Sequence, residues 1–208
     1  MSNSAHAHVN ANSSADMTPD RPVVLIGLMG AGKTTVGRRL ATRLGVPFVD
    51  SDAEIEAAAG YSVQDIFDKY GESAFREGER KVMLRLLKGP VQIIATGGGA
   101  FMDPDIRQAI ADNGISVWLK AELSVLLERV SRRNHRPLLK TGDPKEILER
   151  LMKERYPVYA ESDIVVESAE GPHKVVLGKI VAALERHGGR IPDGPSDSGT
   201  PDDHNLDP

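Results

Sequence analysis

Gly27-Leu28-Met29-Gly30-Ala31-Gly32-Lys33-Thr34 lies between the apolar run PVVLIG (22–27) and the amphipathic run TVGRRLATRL (35–44). The octet satisfies the pattern G-x-x-x-x-G-K-[ST], placed between a strand and a helix where that pattern has meaning. Its glycines let the backbone turn tightly and bring N–H groups against phosphate oxygens. The helix that follows adds its unpaired N–H groups and positive dipole end. In this reading Lys33 reaches the β- and γ-phosphates of ATP and the Thr34 hydroxyl ligates Mg²⁺. Gly30, Ala31, Gly32 and Thr35 complete the expected nucleotide contacts.

Outward from this loop the pattern alternates. VPFVD (46–50), QIIATG (92–97), ISVWL (115–119) and DIVVES (163–168) are, like 22–27, short β-branched runs of the kind buried on both faces. Helical segments are expected over 32–44, 62–70, 72–87, 103–113, 122–132, 144–155 and 172–187. Strands alternating with helices predict an α/β protein with three layers, α/β/α, around a five-stranded parallel sheet.

The 208 residues suit one domain, able to bury its own core. With no cysteine, the chain has no disulfide, thiolate metal site or cysteine nucleophile. No apolar run of 18 residues occurs, and the N-terminus lacks the basic-then-apolar order of a signal peptide. A cytoplasmic protein is expected. Residues 1–20 and 188–208 are polar, rich in Ser, Asn, Pro, Gly and Asp, and are expected to be disordered tails, the second of them acidic. The charge is concentrated there: the ends carry seven aspartates and no Lys or Arg up to 20 and from 191 onward, so the body between them is about +3 against −4 overall. That excess suits small anionic ligands and is too weak to indicate nucleic acid. Nothing in the sequence indicates a coiled coil, and a monomer is expected.

The second strand ends in Asp50-Ser51-Asp52, beside the first loop at the carboxyl edge of a parallel sheet. Asp50 can hold Mg²⁺ through water. Asp52 can accept the proton of an attacking hydroxyl, or cap a helix starting at Ala53. TGGGA (96–100) ends the third strand at the same edge, and three successive glycines suggest either a backbone passing close to a ligand or a flexible loop. In GESAFREGERKVMLRLL (71–87) Arg76 lies off the apolar face. RRNHRPLLKTGDPKEI (132–147) resembles a mobile lid carrying arginines over a transferring phosphate. Arg155 follows on a helix that can present it to the same cavity.

Taken together, these residues resemble the shikimate kinase family across about residues 21–187. The resemblance is carried by GLMGAGKTTVGRRLA, Asp50-Ser51-Asp52, Phe75-Arg76-x-x-Glu79, IIATGGGAF, Arg136-Pro-Leu-Leu and Arg155-Tyr-Pro-x-Tyr159, in that order. It implies a P-loop kinase fold with a substrate-binding segment near 52–88 and a lid near 131–145. It further implies ATP- and Mg²⁺-dependent phosphorylation of the 3-hydroxyl of shikimate, on the route through chorismate to aromatic amino acids. Under it Lys33 and Arg136 neutralise the transferring phosphoryl group, Thr34 and Asp50 serve Mg²⁺, and Asp52 binds hydroxyls and is the base. Arg76 and Arg155 clamp the carboxylate, and Gly97, Gly98 and Gly99 offer backbone contacts. Phe67 and Phe75 line the apolar side. Arg132, or its neighbour Arg133, stacks on adenine, with Pro172 on the other face. A kinase for another sugar acid, such as gluconate, shares the phosphate loop but not the Arg76-x-x-Glu79 and triple-glycine pairing. A nucleotide-binding regulator that has lost catalysis would not need every catalytic position filled, as here.

Overall fold

The computed structural model describes residues 19–132, 142–168 and 173–187. Arg133, Arg136, Pro172 and nearly all of both tails lie outside the described residues.

Five strands form one parallel sheet: β1 (Val23–Ile26), β2 (Phe48–Asp50), β3 (Ile93–Ala95), β4 (Ile115–Lys120) and β5 (Ile164–Glu167), in the order β2-β3-β1-β4-β5. β1 is central, with Val23 facing Ile93 on one side and Ile115 on the other, and all four of its residues are buried. This accounts for its unbroken apolar sequence, since a strand covered on both faces has no solvent side to mark with polar residues. Helix α1 (Lys33–Leu44) packs against α7 (His173–Arg186). α3 (Val63–Leu87) packs against α4 (Pro104–Asn113), which covers β4. The predicted three-layer parallel fold is therefore the one observed.

The order matters because the chain leaves β1 toward β2 and later returns to β4 on the opposite side. Such a reversal opens a crevice at the carboxyl ends of the strands. Gly27, Asp50, Thr96, Ala121 and Ser168 each follow or end a strand at that edge.

Two local features differ from expectation, and a third, the break at Gly71, agrees with it. Helix α2 (Ser51–Ala59), offered by the sequence as a helix from Ala53 capped by Asp52, starts directly at the end of β2, and its cap is Asp50, whose carboxylate accepts from the Asp52 N–H at 3.2 Å. Asp52 is thereby in the first turn and is not the cap. Helix α3 is broken at Gly71 (φ 80°, ψ 174°), where the sequence separated two helices. Helix α6 (Pro144–Tyr159) continues one turn beyond Arg155, through Pro157. A proline there costs a backbone hydrogen bond. The turn is retained because Tyr159 is wholly buried and Tyr156 and Tyr159 pack edge-on against Trp118.

The glycine-rich turn leads through a short 3₁₀ turn (Ala100–Met102) into α4, and Asp103 fastens this segment. One carboxylate oxygen caps α4 by accepting from Asp105 N (2.9 Å) and Ile106 N (3.2 Å). The other accepts from Arg80 Nε (2.9 Å) and Nη2 (2.7 Å) on α3. Burial alone would raise the Asp103 pKa, but Arg80 and the two N–H groups outweigh it and hold it below its ordinary 3.8. Asp103→Ala is expected to cost about 1–2 kcal/mol, as for loss of a good cap. With a lowered native pKa, the stabilisation is present above the unfolded value and is lost as pH falls through the native one. Urea unfolding of the two proteins at pH 6 and pH 3 will show the gap narrowing at the lower pH.

Candidate active site

The loop after β1 is shaped by Gly27, Gly30 and Gly32, with φ of 141°, 84° and 97°. Lys33 lies back along it, its Nζ donating to Gly27 O (2.7 Å) and Leu28 O (3.0 Å). The ammonium therefore stands over the cradle formed by the loop. Ala31 is buried and its N–H bonds within the loop, to Leu28 O at 3.1 Å. Next to the loop, the Thr34 hydroxyl donates to Asp50 Oδ2 at 3.0 Å. A hydroxyl and a carboxylate so close at a helix N-terminus are the oxygen donors that Mg²⁺ favours when phosphates and water supply its other ligands. Among the described residues no group of three or more His, Cys, Asp or Glu could hold a metal by itself.

A cavity of about 480 Å³ runs from this loop to α3 and the turn at 97–99, with Thr34, Thr35, Asp50, Asp52, Phe67, Phe75, Arg76 and Arg155 in its lining. Its far wall is ionic. Arg76 Nη1 donates to Glu79 Oε2 at 2.7 Å, and Arg76 Nη2 and Nε reach Glu72 Oε1 at 3.0 and 3.2 Å. The Arg76 guanidinium carbon also lies 5.2 Å from the centre of the Phe75 ring, which packs on Phe67 at 4.6 Å. Arg155 Nη1 donates to Gly98 O at 2.8 Å.

The three glycines have an evident steric reason. A Cβ on Gly97 would stand 2.8 Å from Asp52 Oδ1 and 3.0 Å from Glu79 Oε1; one on Gly98, 3.3 Å from Arg155 Nη1; one on Gly99, 2.5 Å from Arg76 Nη1. The turn was expected to leave room for a ligand. Its immediate effect is room for the protein's own charged side chains.

Sequence reasoning offered Arg132 or its neighbour Arg133; Arg132, the C-cap of α5 (Leu123–Ser131), has a 73% exposed side chain paired with Glu128, and Arg133 lies outside the described residues. Among the described residues, Arg129 of the same helix lies against the phosphate loop. Its Nη1 donates to Ser168 Oγ at 3.0 Å and lies 3.4 Å from the carbonyl oxygens of Gly30 and Ala31. A signal existed: Arg129 is four residues after Val125 and three after Leu126, both buried, and so lies on the core stripe of α5.

With this geometry in place, the comparisons decide the family. Residues 29–185 match the family model described as shikimate kinase. A shikimate kinase of Paramagnetospirillum magneticum is 59% identical over 79% of this chain and 84% of its own, and one of Rhodopseudomonas palustris is 56% identical over 79% and 81%. The chain belongs to the shikimate kinase family. Among solved structures, the family member from Acinetobacter baumannii, in complex with shikimate, matches with a TM-score of 0.77 at 38% identity, covering 83% of this chain and 96% of that one. A gluconokinase from Sinorhizobium meliloti shares the fold alone, at 20% identity and a TM-score of 0.53.

Burial raises the pKa of Glu79, which is 1% exposed; Arg76 opposes the shift and the nearby Asp52 charge adds to it. A carboxyl whose native pKa is raised stabilises the fold most below its unfolded pKa, near 4.5, and loses that contribution as pH rises through the native value. Glu79→Gln, which can still accept from Arg76, is expected to flatten the fall in stability above that pH. Chemical denaturation at half-unit steps from pH 4 to 7 measures it, and an unchanged slope would assign the effect to another group.

Proposed function

We propose that this chain transfers the γ-phosphoryl group of ATP to the 3-hydroxyl of shikimate, giving shikimate 3-phosphate and ADP. The observation that supports this most is the sharing of one cavity by the phosphate loop, Asp52 and two arginines from different helices, Arg76 and Arg155. Shikimate is an anionic polyol. It needs cations for its carboxylate and an acceptor for its hydroxyls, and a guanidinium suits a carboxylate better than an ammonium does.

In this reading ATP binds along the loop, with Gly30, Ala31, Gly32, Thr34 and Thr35 around its phosphates and Arg129, in place of Arg132, on the nucleotide side. Thr34 and Asp50 would hold Mg²⁺, which when bound screens the charge of the phosphate oxygens. Arg76 and Arg155 hold the carboxylate, Phe67 and Phe75 cover the apolar side of the ring, and the 97–99 turn offers backbone groups. Asp52 orients the hydroxyl and takes its proton as the oxygen bonds to phosphorus and ADP departs. Lys33 stabilises charge on the transferring group, together with Arg136 from the expected lid. Positioning and charge stabilisation carry such a reaction, which needs little covalent assistance. No described helix is long and apolar enough to cross a membrane. We place the enzyme in the cytoplasm as a monomer, without nucleic acid or a membrane among its partners.

A coupled ADP-release assay with shikimate, gluconate and no acceptor side by side tests the reading. Turnover with shikimate and Mg²⁺ alone is expected, and turnover with gluconate but not shikimate would overturn it. Two variants locate the acceptor. Arg76→Ala and Gly99→Ala, the second displacing the Arg76 guanidinium, should each raise the KM for shikimate about tenfold or more, in line with loss of a charged hydrogen bond. The KM for ATP should stay within about twofold; parallel changes in both constants would refute the assignment.

A further inference from the structure

Two groups on α6 meet at one backbone oxygen. Arg155 Nη1 donates to Gly98 O at 2.8 Å, and the hydroxyl of Tyr159, one helical turn later, donates to the same atom. Tyr159 is fully buried, its ring 5.8 Å from that of Trp118, 6.3 Å from Tyr156 and 6.4 Å from Phe101. Burial raises its pKa, so the hydroxyl remains a donor at neutral pH. A buried phenol requires a partner, and this one takes its partner from the turn that lines the active cavity.

The turn needs an external tie. Glycines at 97–99 admit the guanidiniums and carboxylates around them, but glycine is also the residue with the greatest backbone freedom. Three in succession leave the Gly98 peptide to be fixed by its partners rather than by its own conformational preference. A carbonyl oxygen has two lone pairs, and α6 occupies both at Gly98. The Gly98–Gly99 peptide is planar and trans, so holding its oxygen toward α6 also directs the Gly99 N–H to the opposite side. The segment touches both halves of the site: a Cβ on Gly98 would lie 3.7 Å from Gly27 O and 3.9 Å from Met29 N of the phosphate loop, and Gly99 abuts Arg76.

We propose that Tyr159 is a positioning residue for phosphoryl transfer. Through the Gly98 carbonyl it sets the peptide that lies between Arg76 and Arg155, and so the spacing of the carboxylate-binding arginines from the phosphate loop. The proposal rests on the assignment of Arg76 and Arg155 to the acceptor. A purely structural tyrosine would act through its ring, which phenylalanine reproduces. The hydroxyl is therefore the group to remove.

Tyr159→Phe in the full chain is expected to raise the KM for shikimate about fivefold, the usual scale for one neutral hydrogen bond. The KM for ATP should stay within about twofold and the melting temperature within about 4 °C, a shift worth no more than about one hydrogen bond. An unchanged shikimate KM, or ATP and shikimate constants moving together, would overturn it. Combined with Arg155→Lys, the effects on shikimate KM should be non-additive because both groups act on one oxygen; strict additivity counts against the idea. Amide hydrogen exchange of the ligand-free protein tests the same tie without a substrate. Exchange across 97–102 should be faster in Tyr159→Phe while β1 and β4 are unaffected, and equal exchange there would refute the tie. If the wild-type chain did not phosphorylate shikimate, the functional assignment would fail while the exchange result still decided what Tyr159 holds.

Discussion

The active cavity depends on the close approach of charged side chains to a stretch of backbone that has none of its own. Arg76, Arg155, Asp52 and Glu79 come from three helices, and all are directed at Gly97–Gly99. Charges gathered this densely would sample many pairings if they were free. They are instead fixed in one arrangement, with Arg76 paired to Glu72 and Glu79 and Arg155 tied to Gly98. In the proposed reading an incoming carboxylate meets guanidiniums already oriented, so less freedom has to be lost when it binds.

The sheet order supplies the other half of the constraint. Because β1 and β3 are neighbours and parallel, the loop after Ile26 and the turn after Ala95 emerge side by side. In the proposed reaction, donor and acceptor sites are consequently held by adjacent strands of one sheet. The parts that cover them, α2 and the first half of α3, hang from the ends of β2 and from Gly71.

Much of this was legible before any coordinates. The phosphate loop, the five apolar strands and the break at Gly71 are written in residue types with narrow conformational meaning: glycine, proline and β-branched residues. Asp52, Arg76 and Arg155 could be chosen because their neighbours in sequence formed a pattern shared with a family. What escaped the sequence depended on packing. The helix expected over 144–155 runs on through Pro157 to Tyr159, a continuation that local preference disfavours and the burial of Tyr159 supports. Arg132 and Arg129 are chemically equal in one dimension, and the core stripe of α5 separates them. Asp50 and Asp52 both suit a cap, and the choice turned on where β2 stops. The position of Arg136 lies beyond the described residues.

The triple glycine has a consequence for how variation in this chain would be tolerated. At most buried positions a larger residue lowers the amount of folded protein, because it collides with neighbours that cannot yield. At Gly99 the atoms in the way are the tip of Arg76, a long and flexible side chain, so the fold can yield while the acceptor site proposed around Arg76 is disturbed. Changes there should separate abundance from activity. In a population of variants scored for both, this turn would stand out as a place where protein persists in the cell at normal levels and the pathway it serves nevertheless stalls.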